Sequence, residues 1–536
     1  MNASKRSAAA AEAARPSRHL ARAVSQHLDG HAEEALKELE RAIAKGEKQP
    51  EIYSAMAHIQ FELERFEESA GSYRDLLNLA PEHPGAAFNL GVCLERLGRW
   101  QEAAESFKKA AEVNPERTEA HLGLGICLLR LSMPKPALAA FDRCLEQKPE
   151  METALFGKAV AMQQSGQAAE AVALYRRILE RNPESEESLA NLVALGMVQK
   201  DYEMVRGCAE RLLALCPEST AALEGLAAWA FATDDSELAA KFCTSLVSLA
   251  PDHFEGWFNL GLAHQKAGRL DQAAAAYQQA IRVRPDAPQA LTNLGVVRQE
   301  LGDLKGAQQA YAEATRLDPS GTAATWNLAL ALERAGDLEQ AERAYAELLK
   351  KKPGNAAEVQ FRLAFVQLQR GDYSHSAENF EVCLKQRNNW TEAQLNLGLA
   401  YGKLGERELA QAAYVLVLES DPNSRDALRG LAALALDRQD MEQALQHHQR
   451  LIELGERAPE ILYNAAVLLQ QAGQMEAAAE RYRDALSEQP DFAEALLMLG
   501  HVLKALGKEE EARACWSKAL EAKPELAQGY FEPVVN

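Results

Sequence analysis

Seven asparagines have the residue type and the spacing for repeated hydrogen-bonding chemistry. Asn89, Asn191, Asn259, Asn293, Asn327, Asn396 and Asn464 occupy one place in a recurring segment, and Asn259, Asn293 and Asn327 follow one another at intervals of 34 residues. A side-chain amide carries both donor and acceptor. A row of them could hold the backbone of an extended peptide with little demand on its sequence. The same amides could instead bond only to neighbouring helices, and the spacing alone leaves both uses open. Arg362 takes the asparagine's place in one unit and would interrupt such a row with a positive charge, unless it pairs with an acidic side chain on the adjoining helix.

Other reactive side chains are arranged less productively. The eight cysteines, Cys93, Cys127, Cys144, Cys208, Cys216, Cys243, Cys383 and Cys515, include no C-x-x-C pair and no Cys/His cluster of metal-binding spacing. His447 and His448 are adjacent, so on a helix their rings point to different faces and cannot share one ion. The chain has no glycine-rich phosphate loop and no G-x-S-x-G elbow. Acidic runs such as Glu509 to Glu511 read as solvated helix faces. The expectation is a non-catalytic protein with no cofactor and no metal.

Charge narrows the partners. With 78 acidic against 58 basic residues the formal net charge is -20, which repels nucleic-acid phosphate and anionic bilayers. Carboxylates recur in the second place of the unit, at Glu51, Glu119, Glu187, Glu255, Glu358, Glu392, Asp426, Glu460 and Glu494. A first-turn carboxylate also suits the positive end of a helix dipole. If these groups face a binding groove, they favour basic protein segments.

The elements that must position these residues follow from prolines. Pro81, Pro115, Pro149, Pro183, Pro217, Pro251, Pro285, Pro319 and Pro353 fall 34 residues apart, and Pro422, Pro490 and Pro524 resume the register after one residue added near Gly354 to Ala356. Such a period suits stacked helix pairs. In the span from Pro84 to Arg117, Ala87, Leu90, Gly91 and Leu94 form one apolar stripe and Ala103, Phe107 and Ala110 a second, both at helical spacing. Gly98 separates them, and Pro115 marks the exit from the second helix. Gly91 and Ala103 are small enough to let the two backbones approach. Between Glu186 and Pro251 the pattern is least regular: Val193 and Ala227 replace the packing glycine and Val205 the second-helix alanine. That stretch either bends the stack or is compensated by its neighbours.

Trp257, Leu260, Gly261, Ala273, Tyr277, Ala280 and Pro285 together resemble the signature of the tetratricopeptide repeat. Fifteen units are counted, the first starting near Pro16 and the last near Ala493. The resemblance implies an all-α, right-handed superhelix whose concave groove is lined mainly by the first helix of each pair. It also likens the recurrent asparagines to the amide ladder of peptide-reading relatives. Partner-binding candidates on this basis are Asn89, Asn191, Asn259, Asn293, Asn327, Arg362, Asn396 and Asn464. A lysine and asparagine clamp for a chaperone's C-terminal carboxylate is missing, because the ninth place holds Val92, Ile126, Leu262, Val296 or Leu330.

The expected organisation is a flexible tail over 1–15, one continuous array over 16–526, and a partial capping helix over 527–536. Without a strongly apolar leader or a run of about 18 apolar residues, the expected setting is cytoplasmic and reducing. The function expected is an adaptor that holds an extended or helical protein segment. The alternative is a self-assembling scaffold built through homo-oligomers.

Overall fold

The computed structural model describes residues 18–527. They form thirty α-helices, from Arg18–Leu28 to Glu509–Ala522, followed by a 3-10 turn at Pro524–Ala527. No strand occurs among the described residues. The 1–15 tail and positions 528–536 of the expected closing helix lie outside them.

Helices alternate as first and second members of pairs, and local sequence sets each boundary. Pro50, Pro288 and Pro459 open first helices, where a missing N–H costs no helical bond. Asp201, Asp235, Asp303, Asp337, Asp372 and Asp440 cap second helices by accepting a backbone N–H three residues on. Between the two members the chain must pass through left-handed backbone, as at Gly98 (φ 72°). Glu64, Ser132, Lys200, Asp234 and Gln439 adopt the same φ without being glycine, which costs each about 1–2 kcal/mol. The extra residue of the register shift falls in the loop between helices Leu338–Lys350 and Ala356–Arg370.

The chain divides into two compact units, one ending at Ala267 and the other beginning at Gly268. The first holds fifteen helices, Arg18–Leu28 to Phe254–Lys266, and the second holds fifteen more, Leu270–Val283 to Glu509–Ala522. Within each unit an aromatic residue of the second helix is driven into the space between consecutive first helices. In the first unit a Cβ added to Gly91 or to Gly123 would meet the Phe107 ring at 2.8 Å. Phe141 is held in the same way between Gly125 and Gly157, at 2.7 and 2.4 Å. In the second unit Tyr414 lies between Gly398 and Gly430, at 2.7 and 2.5 Å. Phe107, Phe141 and Tyr414 are all buried, and each such ring stabilises its stack by about 1.5–3 kcal/mol.

The irregular stretch is compensated. Val193 and Val205, both fully buried, occupy space left by displaced glycines. A Cβ on Gly225 would reach Val193 at 2.6 Å, and one on Gly196 would reach Val205 at 2.7 Å. Val193 and Val205 belong to one core that runs from Leu155 to Leu226 without a break at this point. Small and large residues have exchanged places while the volume is kept.

Candidate functional site

The sixth-place residues lie on first helices and are half-buried. Their surroundings divide them into three groups. Asn89 Nδ2 donates to the hydroxyl of Tyr73 at 3.1 Å, and Asn293 Nδ2 to that of Tyr277 at 3.4 Å. In each case the tyrosine belongs to the preceding second helix, so these amides fasten one repeat to the next. Asn191 and Asn396 turn back on their own helices, donating to the carbonyls of Glu187 at 2.8 Å and Glu392 at 3.0 Å. Asn259, Asn327 and Asn464 make no side-chain hydrogen bond among the described residues. No two of the seven amides bond to each other among the described residues. The expected row is thus chemically uneven.

Asn259 borders a cavity of about 360 Å³ in the first unit, which it shares with Met197, Glu224, Ala228 and His253. His253 Nδ1 accepts the backbone N–H of Gly256 at 2.9 Å, while its Nε2 lies 2.5 Å from Glu224 Oε1. The lining shared with the amide therefore carries a carboxylate already engaged by an imidazole. Neighbouring fifth-place aromatics are packed into the stack. Phe156 meets Tyr175 edge-on with centroids 5.7 Å apart, and Trp326 meets Tyr345 at 5.9 Å. Tyr463 lies 5.8 Å from Tyr482 and 5.1 Å from Phe492.

Arg362 is paired. Its Nη1 donates to Glu333 Oε1 at 3.3 Å, and the Tyr345 hydroxyl donates to Glu333 Oε2 at 2.6 Å. Glu358 Oε1 lies 3.5 Å from Arg362 Nε. Burial, reinforced by its bond to the Glu333 carboxylate, pushes the Tyr345 phenol above its ordinary pKa. The arginine belongs to a carboxylate–phenol network on adjoining first and second helices, where it neutralises a largely buried Glu333.

The second-place carboxylates also separate. Glu119 is paired with Lys148 at 3.3 Å and Glu494 with Lys523 at 2.7 Å; a backbone hydrogen bond and then Lys148 hold the Glu119 carboxyl below its ordinary pKa, and Lys523 and then a backbone hydrogen bond do so for Glu494. Asp426 is paired with Arg429. Glu51, Glu187, Glu392 and Glu460 are exposed and have no ion-pair partner among the described residues.

The thiols are poor nucleophiles. Burial pushes Cys127 and Cys243 up to about 12 and Cys144 and Cys383 up to about 11, so they remain protonated. One cluster was beyond the reach of linear spacing. His27, on helix Arg18–Leu28, meets His58 and Glu62 on helix Pro50–Glu62, with one donor atom from each within 4.8 Å of the others. The signal available in the sequence was His58 itself, an imidazole in the ninth place, where Val92, Ile126, Leu262, Val296 and Leu330 stand in other units and His501 alone repeats it.

No helix among the described residues is long and apolar enough to cross a membrane. No curated protein matches the chain. Among solved structures, that of Naa15/Naa10 bound to HypK-THB shares 15% identity, covers 94% of this chain and 93% of that one, and gives a TM-score of 0.34. The crystal structure of the APC/C hetero-tetramer Cut9-Hcn1 shares 14% identity over 89% and 94% of the two chains, with a TM-score of 0.33. A tetratricopeptide repeat model matches residues 54–112, 95–134, 258–320, 294–356, 327–384 and 395–459, which is more than half of the chain. A second model of the same description matches 132–196 and 469–529. Repeated helix pairs, glycine turns, aromatic wedges and these matches make the chain a member of the tetratricopeptide repeat family, whose arrays serve protein–protein interaction and scaffolding rather than catalysis.

Proposed function

We propose that the chain is an adaptor whose first helices, in each unit by itself, hold an extended or helical segment of a partner protein, with Asn259 in the first unit and Asn327 and Asn464 in the second as the principal amide contacts. The observation that carries this reading is their lack of an intramolecular hydrogen bond, in contrast to Asn89, Asn191, Asn293 and Asn396. A half-buried amide without a protein partner satisfies itself with water, which a peptide backbone can replace. Glu51, Glu187, Glu392 and Glu460 favour segments that carry lysine or arginine. The contacts are many and individually weak.

Selection from a displayed random-peptide library on the full chain tests this. The reading predicts enrichment of peptides with net positive charge, whose binding weakens as salt is raised. A chain that enriches no peptide but forms a discrete oligomer in light scattering would instead be a self-assembling scaffold.

A further inference from the structure

We propose that His27, His58 and Glu62 form a binding site for one divalent transition-metal ion of the zinc class. His58 and Glu62 are one turn apart on helix Pro50–Glu62, and His27 approaches from the last turn of helix Arg18–Leu28. Both imidazoles present Nε2 to the same carboxylate: His27 Nε2 is 3.3 Å from Glu62 Oε2, and His58 Nε2 is 3.1 Å from Glu62 Oε1. The two rings stand 79° apart in plane, with centroids separated by 6.2 Å.

The His27–Glu62 separation has the length of an edge of a coordination tetrahedron, the His58–Glu62 separation is slightly shorter, and all three donors lie within 4.8 Å of one another. Metal–ligand bonds of about 2.0–2.2 Å directed to the corners of that tetrahedron place neighbouring donor atoms about 3.3–3.6 Å apart. The two helices need not move to provide that frame, because Ala23, Ile52, Met56 and Ile59 lock them into one buried core. Two imidazole nitrogens with one carboxylate select zinc, cobalt, nickel or copper over magnesium and calcium, which prefer all-oxygen shells. Three protein ligands leave a fourth position for water or for a donor brought by a bound protein.

His27 Nδ1 is buried and has no hydrogen-bond partner. The outer carboxylate or carbonyl that normally steadies a metal-ligating imidazole is therefore missing. The expected affinity is accordingly micromolar, well short of closed structural sites.

Calorimetric titration of the chelator-treated full chain with zinc chloride tests the assignment, alongside His58→Ala and Glu62→Gln. The side chains of His58 and Glu62 are 62% and 46% exposed, so both variants should keep the fold. Expected are one equivalent bound by the parent chain, at least tenfold weaker binding by each variant, and unchanged far-ultraviolet dichroism in both. Cobalt should give the intense visible absorption of a tetrahedral ion, lost in both variants. No stoichiometric binding by the parent, or equal binding by parent and variants, would overturn the proposal and leave the trio as an ordinary ion-paired cluster.

Discussion

Asn89 donates its amide hydrogen to the hydroxyl of Tyr73 across the boundary between two repeats, at 3.1 Å. Tyr73 is 3% exposed, so its polar end has little access to water. Of the two uses the spacing left open for this amide, bonding to a neighbouring helix is the one it makes here.

Replacing Asn89 with alanine should therefore cost about 1 kcal/mol, with an outer range of about 1–3 kcal/mol if the buried hydroxyl finds no other partner. Urea unfolding of the parent and Asn89→Ala gives the value. In the Tyr73→Phe background the same replacement should cost measurably less. Equal costs in the two backgrounds would show that the bond contributes nothing.

Gly157 faces a harder constraint. A Cβ there would lie 2.4 Å from the Phe141 ring, which is fully buried and already held on its other side by Gly125. Gly157→Ala should destabilise the chain by about 1–3 kcal/mol through overpacking. Pairing it with Phe141→Leu should recover part of the loss, since the smaller side chain frees space. A Gly157→Ala chain as stable as the parent would contradict the wedge.

Much of this architecture was legible because each repeat states it again. Proline exits, the glycine at Gly98 and its equivalents, and the aromatic wedges recur at one spacing, so backbone geometry follows from local chemistry. Val193 and Val205 were visible as exceptions, but their compensation by Gly225 and Gly196 was not, since it depends on which faces meet. The asparagines were harder for the same reason. Asn89 and Asn293 each follow a tyrosine by 16 residues and bond to it, yet Asn327 stands at the same offset from Tyr311 without a bond. Spacing places these residues at an interface and cannot say which hydrogen bonds form. Likewise, Arg362 carried a positive charge in the sequence, whereas its pairing with Glu333 needed the neighbouring helix in place.

His448 introduces a dependence on pH. It is 2% exposed, its Nδ1 lies 2.8 Å from the Ala444 carbonyl, and burial lowers its pKa below the ordinary histidine value. The folded state thus favours the neutral ring. As pH falls through about 6.5, the unfolded chain gains a proton that the folded chain resists, and stability declines until the folded pKa is passed. Hydrogen exchange should show helix Met441–Glu453 losing protection between about pH 7 and pH 5. His448→Leu should flatten that loss, and an unchanged pH profile would show that another group controls it.

The most direct test of the adaptor reading is the affinity of a selected basic peptide for the parent chain and for Asn259→Ala, Asn327→Ala and Asn464→Ala, measured by fluorescence polarisation. Losing one net hydrogen bond should weaken binding by about twofold to tenfold where the peptide crosses that amide. Asn191→Ala, whose amide serves its own helix, should bind as the parent does. Weakening by at least one of the three replacements, with helicity and melting unchanged, is the predicted result. Undiminished binding by all three would contradict the assignment of these amides to the partner.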